Sequence, residues 1–103
     1  MEPYRINVGI EYRTIRATTP LVELTATEGE LNFRFRFGLG LILGPWHFRR
    51  DQVSEVFTTR ALFSTRIHIC GEGFEIYVFA APPEPLLLTL EELGYPVDWI
   101  LRR

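Results

Sequence analysis

Leu31, Phe33, Phe35 and Phe37 alternate with Asn32, Arg34 and Arg36, and a period of two is the signature of a β-strand buried on one face. The pattern recurs along most of the chain. Tyr4, Ile6, Val8, Ile10 and Tyr12 oppose Arg5, Asn7, Glu11 and Arg13 over residues 4–14, and Val22, Leu24 and Ala26 share a face over 21–27. Trp46, Phe48 and Arg50 alternate with His47 and Arg49, Ile67 and Ile69 with Arg66, His68 and Cys70, and Phe74, Ile76 and Val78 with Glu75, Tyr77 and Phe79. About seven short strands and one helical stretch predict a mainly β fold. Such a sheet must bend strongly and fold over itself, as an antiparallel sandwich or a partly open barrel.

The segments between these runs carry turn chemistry. Pro20 cannot donate to a ladder, so Thr18-Thr19-Pro20 is expected to break the first strand from the second. Glu28-Gly29 predicts a two-residue hairpin turn, and Gly71-Glu72-Gly73 a tight one with glycine free to take positive φ. The spacing of three between Val53 and Val56, after Asp51-Gln52, predicts a bulge or bend. Ala81-Pro82-Pro83-Glu84 opens a helix of ten to twelve residues. Its Leu86, Leu87, Leu90 and Leu93 fall in one arc, and Gly94 stands where a C-terminal left-handed residue belongs. That leucine arc is expected to plug the open corner of the sheet. Leu88 points away from the arc, and Tyr95, Val97, Trp99, Ile100 and Leu101 form an apolar tail that must bury on the sheet or on another subunit.

Thr19-Pro20-Leu21-Val22-Glu23-Leu24, Gly44-Pro45-Trp46-His47-Phe48-Arg49-Arg50-Asp51-Gln52-Val53 and Leu90-Glu91-Glu92-Leu93-Gly94-Tyr95-Pro96-Val97 resemble the small bacterial pleckstrin-homology-like (PH-like) domains, found largely in actinobacteria. The resemblance covers residues 18–98 of a single domain spanning 1–103, with 4–14 as an extra N-terminal strand. It implies a β-sandwich or barrel closed by a C-terminal helix, frequent self-association and no assigned activity. Phosphoinositide-binding members of the superfold carry lysine and arginine in the first hairpin. Here that turn is the acidic Glu28-Gly29-Glu30, so headgroup binding is not implied.

Several functional classes are disfavoured by composition. At 103 residues the chain can bury a core without metal or disulfide, and 23% charged with 47% hydrophobic residues is the balance of a folded domain. A net charge of −2 offers no general attraction for nucleic acid or an anionic membrane. All eleven basic residues are arginine, a bias that points to a bacterial source. With one cysteine and no apolar signal core after Met1, the expected location is cytoplasmic. The longest uncharged apolar run, Phe37–Trp46, is ten residues, about half of a membrane span, so no transmembrane segment is expected. His47 and His68 stand 21 apart with no ligand spacing around them, so neither a metal nor a cofactor is expected. Cys70 and His68 share a strand face, but no orienting third group or oxyanion site accompanies them, and the chain reads as a non-enzyme.

What remains are candidate contact residues. Gly38, Gly40 and Gly44 do not form a phosphate loop, because Pro45 and the strand after it leave no helix N-terminus. Leu39, Leu41, Ile42 and Leu43, leading to Trp46, either continue the preceding strand or cap an open end of the sheet, or else form an exposed apolar tip flanked by Arg34, Arg36, Arg49 and Arg50 that dips into a bilayer or a partner. Those arginines either converge on an anionic group or pair across strands with Glu23, Asp51 and Glu55. Adding Leu88, Trp99 and Leu101 completes the candidate surface. The expected function is a non-catalytic interaction module that contacts a protein partner or its own copy as a homo-oligomer. A peripheral membrane module using the 38–44 loop is the alternative, and a carrier with a ligand in the barrel mouth is a third reading that requires a cavity there.

Overall fold

A computed structural model gives the structure of residues 3–36, 44–60 and 64–102. Strands β1 (Tyr4–Tyr12), β2 (Ile15–Ala26), β3 (Glu30–Phe35) and β4 (Trp46–Arg49) run up and down, and a single 3-10 turn at Arg50–Gln52 leads into β5 (Val53–Arg60), β6 (Thr65–Gly71) and β7 (Phe74–Phe79). Helix α1 (Glu84–Glu92) and strand β8 (Val97–Arg102) follow. Because β7 pairs with β1, both runs join in one sheet of order β4-β3-β2-β1-β7-β6-β5-β8, antiparallel at every ladder except β5 with β8. The fold is the expected bent antiparallel sheet closed by a single C-terminal helix. The apolar tail supplies one strand more than the seven anticipated.

Alternation along the strands decides what lies inside. Val8, Ile10, Val22, Leu24, Leu31, Phe33, Val56, Ile67, Ile69, Ile76 and Val78 are fully buried from their inward faces. Tyr12, Phe33, Phe35, Trp46, Phe48 and Phe74 meet in edge-to-face and stacked pairs with ring centroids 4.3 to 6.0 Å apart. These rings pack together on the inner face of the sheet.

One expected break is a bulge instead. The first strand turns at Arg13-Thr14, with Arg13 at φ 56°, and β2 runs from Ile15 straight through Pro20. Val8 pairs with Val22 but Ile10 with Ala17, so β2 bulges over Thr18–Leu21, where Pro20 need not donate to the ladder. The bulge presses on Gly9. A Cβ there would lie 2.8 Å from both the Ala17 carbonyl oxygen and the Thr19 nitrogen.

The other turns form as their residues demand. Glu28-Gly29 is a two-residue connection braced by the Thr27 hydroxyl, which accepts from the nitrogens of Gly29 and Glu30 at 3.3 and 3.1 Å. Gly73 takes φ +84° in the β6–β7 turn, and the expected bulge in β5 appears as a register shift between Val53 and Glu55. Helix α1 has nine residues and buries Leu86, Leu87 and Leu90, with Leu93 buried just beyond it. It ends in a Schellman motif: Gly94 sits at φ +96°, its nitrogen donates to the Glu91 carbonyl, and the Tyr95 nitrogen donates to that of Leu90. The Tyr95 hydroxyl donates to the Thr27 carbonyl at 2.8 Å and Arg50 Nη1 to that of Leu93 at 3.3 Å, stitching the helix end to the β2–β3 turn and to the β4–β5 connection. No described helix is long and apolar enough to cross a membrane.

Candidate interaction surface

After Gly94 the chain turns back to the sheet, and Val97 pairs with Val56 and Leu101 with Thr58 on the edge of β5. Asp98, Trp99 and Ile100 thus stand opposite a single β5 residue, Phe57, and bulge outward. Asp98 Oδ1 accepts the Ile100 N–H at 3.0 Å within the bulge. Arg102 anchors the far end, 3.0 Å from both Glu55 and Asp98, with its guanidinium 3.9 Å above the Phe57 ring. The Trp99 indole donates to Glu91 Oε2 on α1 at 2.8 Å, so β8 and the outer face of the helix form one corner. Large apolar side chains are left in solvent there: Ile100 is 74% exposed, Leu88 51%, Trp99 44% and Leu101 42%. Leu88, Trp99 and Leu101 were expected on a contact surface. Ile100 was not, since its exposure depends on a bulge created only by pairing with β5.

The arginines do not converge. The β3–β4 register sets Trp46 opposite Phe33 and Arg49 opposite Glu30, which puts Arg34 and Arg49 about 13 Å apart along the strands. Arg34 pairs with Glu23 at 2.9 Å, Arg49 with Asp51 at 3.2 Å, and Arg36 Nη1 donates to the Pro20 carbonyl at 3.2 Å. Glu55 is taken by Arg102 and by none of these four. Exposed pairs of this kind contribute about 0–1 kcal/mol each. Arg34 also lines a depression of about 410 Å³ on the outer face of β1–β3, with Arg5, Glu23, Thr25 and Asn32. Trp46 turns inward, its ring 5.7 Å from Tyr12 and 5.9 Å from Phe35, so it belongs to the core edge and not to an exposed tip. Leu39, Leu41, Ile42 and Leu43 lie outside the described residues.

A polar cluster sits on the outer face of β5–β7. His68 stacks on Phe57 at 4.5 Å and meets Tyr77 edge-on at 4.7 Å, with Nε2 2.7 Å from the Thr59 hydroxyl. Its Nδ1 is buried without a hydrogen bond, 3.8 Å from Glu75 Oε2. The same carboxylate accepts from the Cys70 thiol at 3.0 Å and from the Tyr77 hydroxyl at 2.6 Å. Glu75 is the third group near Cys70 and His68 that sequence reading missed. It arrives because β6–β7 pairing sets Cys70 opposite Glu75 and His68 opposite Tyr77.

That arrangement works against nucleophilic chemistry. Burial first, then the Glu75 carboxylate, pushes the Cys70 thiol up to about 12, so it stays protonated. Alkylation of Cys70 by iodoacetamide near neutral pH should be on the order of a hundredfold slower than that of free cysteine, and Glu75→Gln should speed it. A rate equal to the free thiol's would contradict this geometry.

Burial also holds the His68 pKa below its ordinary 6.5, with Arg66 and Arg102 acting in the same direction and Glu75 opposing them. The unfolded chain therefore takes up this proton first. The stabilisation is complete above pH 6.5 and is lost as pH falls from there through the lower folded-state value. Urea midpoints should decline over that window, and His68→Phe should flatten the decline. An unchanged pH profile in the variant would remove His68 as the cause.

No protein-family model matches this chain, and no characterised protein matches it significantly.

Proposed function

We propose that the chain is a non-catalytic PH-like module that docks a protein through the corner where α1 meets β8. The observation that carries this is the exposure of Leu88 on α1 and of Trp99, Ile100 and Leu101 on β8, two elements that the Trp99–Glu91 hydrogen bond joins. Large apolar side chains left in solvent on adjoining elements are a recurrent mark of protein contact sites. Seven mutually antiparallel strands before a closing helix support the PH-like assignment. A Cys70 thiol held protonated supports a role without nucleophilic catalysis by that residue.

The test compares the wild-type chain with Ile100→Ser by light scattering, to read association with its own copy, and by chemical cross-linking in the source cell, to read association with other chains. The wild type should capture a protein that Ile100→Ser loses, with the two melting alike. If the wild type stays a 12.0 kDa monomer at every concentration and both chains give the same cross-links, the reading fails.

A further inference from the structure

We infer that the occupant of the α1–β8 corner is a basic, apolar segment of another protein, an Arg- or Lys-bearing amphipathic stretch. The inference rests on the docking reading above and adds the chemistry of the partner.

Charge around the patch carries it. Glu84, Leu88, Glu91 and Glu92 lie at i, i+4, i+7 and i+8 of α1, so the exposed leucine sits inside a stripe of carboxylates. Glu84 and Glu92 are exposed and make no hydrogen bond or ion pair with any described residue, and Glu91 leans across to Trp99. On the β8 side Asp98 and Glu55 are both engaged by Arg102, the one described cation between residues 84 and 102. Arg50 reaches the end of α1 but donates to the Leu93 carbonyl, so the apolar side chains are rimmed by three carboxylates with no ion pair among the described residues.

That rim discriminates among occupants. A two-fold contact between copies would set one carboxylate-rimmed patch against another, a repulsion that opposes the apolar gain. An anionic bilayer surface meets the same repulsion. A cationic segment is attracted instead, its Arg or Lys heads reaching Glu84 and Glu92 while its apolar side chains cover Leu88, Trp99 and Ile100. Recognition runs through side chains and not through strand addition. The Asp98–Ile100 bulge interrupts the outer edge of β8, and the Ile100 N–H is already taken by Asp98.

The test uses the full chain and two synthetic amphipathic helical peptides, one with a leucine face flanked by arginines and its twin with every arginine replaced by glutamate. The indole N–H resonance of Trp99 is followed by NMR. The arginine peptide should shift it saturably, and added salt should weaken the binding. Glu84→Gln with Glu92→Gln should reduce affinity about tenfold, and Ile100→Ser should remove the response. Equal or tighter binding of the glutamate peptide, or an unchanged affinity in the double glutamine variant, overturns the inference and leaves the docking reading intact. So does concentration-dependent dimerisation that shifts Trp99, by naming a second copy as the occupant. Co-sedimentation with phosphatidylserine vesicles that Ile100→Ser abolishes overturns it too, by naming a bilayer. No shift with either peptide, together with identical behaviour of Ile100→Ser, defeats both readings.

Discussion

Gly71→Ala is expected to destabilise the domain by about 3 kcal/mol, lowering the melting temperature by about 15 °C. Gly71 closes β6, paired with Val53 on one side and Phe74 on the other. A Cβ at this position would run into the Gln52 carbonyl oxygen and the Phe74 ring. Neither can retreat cheaply. Gln52 is fixed by the 3-10 turn, its side chain accepting the Arg49 N–H at 2.9 Å, and Phe74 is stacked 4.3 Å from Phe48 in the aromatic core. Gly73 is the control, since nothing lies within 4 Å of its Cβ position and only its positive φ resists substitution. Gly73→Asn, with a residue that tolerates the left-handed region, should cost well under half as much. Equal melting temperatures for the two variants would mean that β5 does not press on the end of β6 as described.

Leu90→Ala is expected to cost about 3 kcal/mol, read as a lower urea midpoint at unchanged slope. Leu90 is fully buried on the inward face of α1, and its carbonyl accepts the Tyr95 N–H that finishes the helix. Truncation leaves a void facing a bent sheet whose aromatic rings and five antiparallel pairs of successive strands resist inward collapse. Leu88→Ala on the same helix removes an equal number of atoms from solvent and should change stability by less than about 0.5 kcal/mol, helped by the helix preference of alanine. A cost for Leu90→Ala as small as that for Leu88→Ala would show that the helix does not close the sheet.

The contrast between Leu88 and Leu90 was legible from a 3.6-residue period alone, and so was the arc that plugs the corner. The strand faces were equally plain, because alternation assigns inside and outside whichever strand turns out to be the neighbour. Pro20 was misread for a physical reason. Proline does leave the ladder, but a bulge lets β2 pass it without ending, and the space for that bulge is provided by Gly9 on the partner strand. The arginines were misjudged through register: four residues of offset along β3 and β4 separate groups that the linear sequence brackets around one loop.

Local periods and turn chemistry thus determined, from the chain alone, a bent antiparallel sheet with a leucine-lined closing helix. The tertiary structure alone decided which side chains meet across strands: Cys70 and His68 with Glu75, Arg102 with Glu55 and Phe57, and Trp99 with Glu91. It also decided that the tail would form a bulged, parallel edge strand with Ile100 in solvent. The reason is that a side chain's face is set by its immediate neighbours in the chain. Its partners depend on register and bulges that only the whole sheet, packed around its core, can select.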